Sequence, residues 1–108
     1  MSTDMIIVYI TCESLEQAKS LSKQLLSKKL CACINIFPEV YPMFLWPPKS
    51  GIIDESKEIV VIAKTIEAKY HELEAEIQKH NGGTPCIFAI PVKHVSKKYY
   101  DWLAGELV

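Results

Sequence analysis

The side chains able to do chemistry in this 108-residue chain fall into a few sets. Cys31-Ala32-Cys33 holds two thiols two residues apart, which in a strand puts both on one face. Two sulfurs on one side could start a soft-metal site for Cu(I) or zinc. The same spacing equally suits small apolar side chains packed under a helix, and C-x-C lacks the second ligand pair of a full zinc motif. His80 and Cys86 flank an Asn-Gly-Gly-Thr-Pro turn. An imidazole there could ligate a metal or move a proton, or simply complement the end of a helix dipole. Glu58 opens an apolar segment and Lys64 closes it. Six strand residues apart, they share a face at a separation of about 20 Å. They cannot pair within one chain, but each could meet a partner from a neighbouring one, or simply mark a strand end. Tyr99, Tyr100 and Trp102 suit either the docking face of a terminal helix or a cleft wall at a subunit junction. His71 and His94 have no partner placed by spacing and are expected in solvent.

Several function classes are disfavoured at this level. No Ser-His-Asp ordering, P-loop, G-x-G-x-x-G or H-E-x-x-H is present. All 12 cationic residues are lysine, so the bidentate fork used for tight phosphate recognition is missing. That counts against phosphoryl transfer and acylphosphatase-like chemistry. With 12 lysines against 13 acids the net charge is −1, too little positive excess to neutralise a nucleic-acid backbone. No apolar run reaches membrane-spanning length. Met1-Ser2-Thr3-Asp4 has no signal-peptide pattern, so a cytoplasmic chain is expected, with Cys12, Cys31, Cys33 and Cys86 as free thiols.

These groups must be held by a core, and 49% hydrophobic residues in 108 suffice for one domain over residues 1–108 without staples. Met5 to Thr11 reads as a strand. Ser14 and Gln17 form a capping box, opening a helix from Leu15 to Lys29 with Lys28 and Lys29 in its last turn. Leu15, Ala18, Leu21 and Leu25 form its apolar stripe. Cys31 to Phe37 is a second strand. Pro38 and Pro42 bend the chain into an edge strand from Val40 to Trp46, and Pro47 to Gly51 is a turn. Lys57 to Lys64 is another strand. Thr65 caps a helix carrying Ile66, Tyr70, Leu73 and Ile77, which stops at Asn81-Gly82-Gly83 with glycine available for a left-handed cap. Pro85 to Val92 is the last core strand, and Ser96 opens a short C-terminal helix. The order βαββαβ plus a terminal helix, with right-handed crossovers, predicts an α+β ferredoxin-like sandwich of two helices on one face of an antiparallel sheet.

The strands also bear on assembly. Ile59 to Ala63 is apolar at every position, as is Cys86 to Pro91. A sheet covered on one side should alternate instead. Exposed Val or Ile side chains on the second face each forgo about 1.5–3 kcal/mol of burial. The terminal helix is too short to cover that face, so a symmetric homo-oligomer is expected.

The chain resembles the CutA divalent-cation-tolerance family over essentially its whole length. The resemblance is carried by Val8-Tyr9-Ile10-Thr11, by Lys29 to Ile36, by Trp46, by Glu58 through Lys64-Thr65, by His80 with Pro85, and by Tyr99-x-x-Trp102-Leu103. It implies a homotrimer, a role in tolerating or binding divalent metals, copper especially, and an inter-subunit cleft near Cys33, Glu58, Lys64, His80, Tyr99 and Trp102. Compared with the family's H-P-Y-x-x-P-E, this chain has Asn81, Gly82 and Cys86 where proline, tyrosine and the acid stand. Pro42 and Phe44 replace both hydroxyls of S-x-Y-x-W, the loop from Pro47 to Lys57 looks longer than usual, and Ile10 stands where some relatives have cysteine. Cys86 offers a soft sulfur for the lost carboxylate, which would favour Cu(I), with His80 as the second candidate ligand.

The expectation is therefore a non-enzymatic cytoplasmic homotrimer that binds copper or another divalent metal weakly or acts as a scaffold, without nucleic-acid or membrane partners. The alternatives are a PII-like small-molecule signalling trimer with ligand in the same clefts, and an enzyme using His80 as acid or base, for which the sequence places no nucleophile.

Overall fold

The structure is a computed structural model that describes residues 3–108. The N-terminal reading rests partly on residues 1 and 2, outside the described residues. Strands β1 (Met5–Cys12), β2 (Cys33–Val40), β5 (Glu58–Ile66) and β6 (Ile87–Pro91) form one antiparallel sheet in the order β2-β5-β1-β6. Helices α1 (Leu15–Ser27) and α2 (Tyr70–His80) pack on one face. This is the ferredoxin-like arrangement expected from the element order. A small hairpin of β3 (Met43–Leu45) and β4 (Ile53–Glu55) follows β2, and α3 (Lys97–Glu106) ends the chain.

The core lies between sheet and helices. Ile6, Val8, Ile10 and Cys12 of β1 and Ile59, Val61 and Ala63 of β5 face Leu21, Leu25, Leu73 and Ile77 from above. The alternate residues, Ile7 and Tyr9 of β1, Val60, Ile62 and Lys64 of β5, and Phe88 and Ile90 of β6, therefore look to the second face. There α3 packs Leu103 and Leu107 on Met5, with Ile66, Tyr99 and Tyr100 around them. It covers one end of the face only: Phe37, Phe88 and Ile90 remain 42–47% exposed.

Local chemistry explains most boundaries and several departures. Ser14 Oγ accepts from the Gln17 N–H at 3.1 Å, and Gln17 Oε1 accepts from the Glu13 N–H at 2.7 Å, so the box reaches one residue further back than anticipated. Helix α1 stops at Ser27, not Lys29. Lys29 adopts φ 55, its N–H donates to the Leu26 carbonyl, and Leu30 N–H donates to the Leu25 carbonyl at 2.9 Å. That is a Schellman cap with lysine in the position glycine usually takes. Leu15 lies outside the buried stripe, exposed at the helix start. Strand β2 starts at Cys33 and runs through Pro38 to Val40, with its ladder broken between Phe37 and Val40.

Thr65 does not cap α2. It is a buried residue of β5, and a 3-10 turn over Glu67–Lys69 leads into a helix that has no side-chain cap. At the far end Asn81 closes α2 in an extended conformation, and the left-handed residue is Gly83, two positions later. Thr65 Oγ1 instead donates to the Leu30 carbonyl at 2.7 Å, tying the end of β5 to the turn that launches β2. Thr65→Val should therefore leave a buried carbonyl unpaired and cost about 1–3 kcal/mol. At fixed protein concentration, urea unfolding will show a lower midpoint with an unchanged slope; an unchanged midpoint would mean that bond contributes nothing.

Candidate functional site

The residues singled out from the sequence separate into two groups at opposite ends of β5. At its C-terminal end Lys64 lies directly opposite Cys33 of β2. Lys64 Nζ donates to Cys33 Sγ at 3.6 Å and sits 6.0 Å from the centre of the Tyr99 ring. Tyr99 in turn lies against Trp102, with ring centroids 5.6 Å apart. Cys33, Lys64, Tyr99 and Trp102 thus converge where the edge of α3 meets the uncovered sheet. Ser96 positions the helix by capping it, its Oγ accepting from the Tyr99 N–H at 3.2 Å. Tyr99 and Leu103 dock, whereas Trp102 turns outward and is 46% exposed, so the terminal aromatics do not share a single docking face. The Tyr99 hydroxyl is buried and has no hydrogen-bond partner among the described residues. Burial first, and then the neighbouring Cys33 sulfur, push its pKa up to about 12.

Cys31 and Cys33 do not share a face. The chain bends at Ala32, whose N–H donates to the Lys64 carbonyl at 3.0 Å. The bend sends Cys31 into the core under the helices and leaves Cys33 half-buried beside Lys64. Burial raises the Cys31 thiol to about 12, with the nearby Cys33 sulfur adding to the shift.

At the other end of β5, Glu58 lines a polar cleft of about 150 Å³ with Thr11, Cys12, Glu13, Asn81 and the Gly82–Pro85 loop. A second, wider hollow beside it adds Asp54 and the rings of Phe44 and Trp46. Glu58 Oε2 accepts from the Ser56 hydroxyl at 3.0 Å and makes no ion pair among the described residues. Cys86 is exposed; its N–H donates to Thr11 Oγ1 at 3.0 Å, and its carbonyl accepts from the Thr11 N–H at 3.1 Å, which extends the β1–β6 pairing by one residue.

His80 stands apart, in the helix layer. Its Nε2 lies 3.5 Å from Glu76 Oε1, and no hydrogen bond or ion pair joins it to Cys86 among the described residues. Glu76 is the group sequence reasoning overlooked. It is buried, and Lys28 Nζ donates to both its oxygens at 2.8 and 2.9 Å. That bond, helped by the Lys28, Lys79 and His80 charges, holds its carboxyl below the usual range. Asn81, read from the sequence as a helix stop and a motif departure, is buried, and its Nδ2 donates to the Thr11 carbonyl at 3.1 Å and to Cys12 Sγ at 3.5 Å. The Lys28 position past a helix end hinted at the first partner; nothing local announced the second. Among the described residues no group of three or more His, Cys, Asp or Glu side chains could hold a metal ion, and no helix is long and apolar enough to cross a membrane.

Comparison with known proteins gives one consistent result. The family described as "CutA1 divalent ion tolerance protein" matches residues 6–106. A divalent-cation tolerance protein CutA of Archaeoglobus fulgidus is 42% identical over 97 residues, spanning 89% of this chain and 91% of the relative. One from Thermotoga maritima is 40% identical over 105 residues, spanning 96% and 100%. Among solved structures, the periplasmic divalent cation tolerance protein CutA of Archaeoglobus fulgidus superposes with a TM-score of 0.90 at 37% identity, covering 96% of this chain and 99% of that one. CutA1 of Oryza sativa gives 0.90 at 29% identity, covering 97% and 94%.

The Tyr99 environment yields a titration experiment. The phenol stays protonated in the fold while the unfolded chain ionises near 10.0, so stability falls as pH rises from 10.0 towards 12. Tyr99→Phe should remove the last-titrating phenolate from the ultraviolet absorbance curve, and Cys33→Ala should bring that component to lower pH. A curve unchanged by both substitutions would show that the two groups do not sense each other.

Proposed function

The chain belongs to the CutA1 divalent ion tolerance family, and from that premise we propose that residues 1–108 act as one domain in a non-enzymatic cytoplasmic homotrimer whose ligand or metal site is completed between copies. The observation that carries this reading is the apolar second face of the sheet with unlike ends. Phe37 on edge strand β2 and Phe88 and Ile90 on edge strand β6 stand exposed, and the β3–β4 hairpin adds Met43, Leu45 and Ile53, each 67% exposed. Full burial of such side chains contributes about 1.5–3 kcal/mol apiece. One end of the face carries Lys64, Cys33, Tyr99 and Trp102; the other carries Trp46 and the carboxylates of Glu13, Asp54 and Glu58 with one cation, Lys57, among them. A contact between unlike patches is head-to-tail, and such contacts close into rings when the rotation allows. Opposite charge at the two ends favours that register over a face-to-face pair.

Within this assembly His80 and Cys86 are the metal candidates: Cys86 offers an exposed soft sulfur, His80 an imidazole that lies against Glu76 within its own chain, and an ion at either would draw its further ligands from a neighbouring copy. Four free cysteines favour the cytoplasm; the Archaeoglobus fulgidus neighbour is itself described as periplasmic. The PII-like signalling alternative gains nothing from the comparisons, and a cleft lined by Glu13 and Glu58 would repel a nucleotide's phosphates. Catalysis by His80 lacks a nucleophile beside it, since its ion-pair partner is Glu76.

Light scattering at micromolar concentration should return three times 12.2 kDa, and Phe88→Glu should lower it. A wild-type mass of 12.2 kDa overturns the assembly and the shared site together. Copper titration under reducing conditions tests the metal assignment: Cys86→Ala should weaken binding clearly, and unchanged affinity removes Cys86 from the site.

A further inference from the structure

Of the four cysteines, only Cys33 combines access with a reactive neighbour. Cys12 and Cys31 are buried, and burial raises both thiols. Cys86 is exposed but has no amine within hydrogen-bonding reach among the described residues. Cys33 is half-buried, and its sulfur accepts from Lys64 Nζ at 3.6 Å. The contact is built into the sheet, because the two residues face each other directly across β2 and β5. Opposite residues hold their Cβ atoms about 4.5–5.5 Å apart, so the lysine stem needs only a rotamer change to bring nitrogen onto sulfur. Lys64 makes no ion pair among the described residues; the lysines so engaged are Lys28, Lys57, Lys79 and Lys97. Among the described residues, its ammonium donates to the thiol alone.

We infer that Cys33 and Lys64 form a peroxide-responsive modification site, in which the oxidised thiol is captured by the lysine amine as a reversible sulfenamide cross-link between β2 and β5. The Cys33 sulfur displaces water from hydrogen peroxide: an S–O bond forms, the O–O bond breaks, and the products are Cys33–SOH and one water. Lys64 releases a proton to solvent, and its nitrogen lone pair attacks the sulfenic sulfur. An S–N bond forms, the S–O bond breaks, and hydroxide leaves and takes up the second amine proton as water. The pair thus loses two electrons and two hydrogens relative to thiol plus amine, the peroxide is reduced to water, and the Lys64 charge disappears. A thiol reductant cleaves the S–N bond and restores both groups. An amine captures the sulfur because the nearest cysteine in sequence, Cys31, is turned into the core. Both groups of the cross-link belong to one copy of the chain.

The experiment treats the full-length reduced protein with a small excess of hydrogen peroxide, alkylates the remaining thiols, and maps peptides by mass. Wild type should yield a cross-linked peptide joining Cys33 to Lys64, lighter by two hydrogens than its parts. Alkylation at Cys33 should fall by at least about tenfold and return with dithiothreitol. Lys64→Arg keeps the cation but cannot form the bond; it should instead accumulate sulfenic acid at Cys33, trapped by a 1,3-dicarbonyl probe. Cys33→Ser should give no cross-link. Overturning results are a Cys33 that stays fully alkylatable in wild type, a disulfide in place of the cross-link, or equal reversible protection of Cys33 in Lys64→Arg.

Discussion

Strand β5 is the constraint on which the rest of the molecule depends. It is hydrogen-bonded along both edges, to β1 and to β2, and has apolar side chains on both faces. Ile59, Val61 and Ala63 lie under the helices, while Val60 and Ile62 look the other way. A one-residue slip would exchange the two sets and place Glu58 and Lys64 beneath α1 and α2. The register is therefore fixed by burial, and it brings Cys33 opposite Lys64 on one side and Ile7 opposite it on the other. The charges that end the strand are kept at its two limits, where water can still reach them.

Much of this was legible because the signals were local. Ser14 and Ser96 cap the helices they were expected to cap, since a hydroxyl three residues before a free N–H is a short-range arrangement. The strand order followed from βαββαβ and the handedness of crossovers. Continuous apolar runs correctly announced apolar side chains on both faces of the sheet. What escaped were residues whose roles depend on distant chain. Thr65 looked like a cap in sequence, yet its hydroxyl bonds to Leu30, on the turn after α1. Glu76 could be recognised as buried only once α1 lay beside α2 and brought Lys28 to it. The edge strand read from Val40 to Trp46 divides at Pro42 into the end of β2 and the short β3, and β3's hairpin partner β4, beyond the Pro47–Gly51 turn, was not recognised.

The candidate site was recoverable as a set of residues but not as a geometry. Period-two reasoning correctly kept Glu58 and Lys64 far apart along one strand. Applied to Cys31 and Cys33, the same rule failed, because the strand had not yet begun: Ala32 is a bend, and alternation holds only within a ladder. His80, which the family resemblance places near an inter-subunit cleft, has Glu76 as its neighbour within the chain.

That failure is informative about the chemistry. Two thiols separated by one alanine end in opposite conditions: Cys31 is packed under the helices with its pKa pushed to about 12, and Cys33 meets an amine at the rim of the region covered by α3. Had α3 extended further across the second face, Lys64 would have needed a carboxylate to offset its burial, and the sulfur would have lost both water and amine. Had α3 been absent, the Tyr99 phenol would not sit buried beside the sulfur, and the lysine would be one more solvated side chain. The half-covered end of the sheet thus holds a thiol, an amine and a phenol together and still open to small solutes.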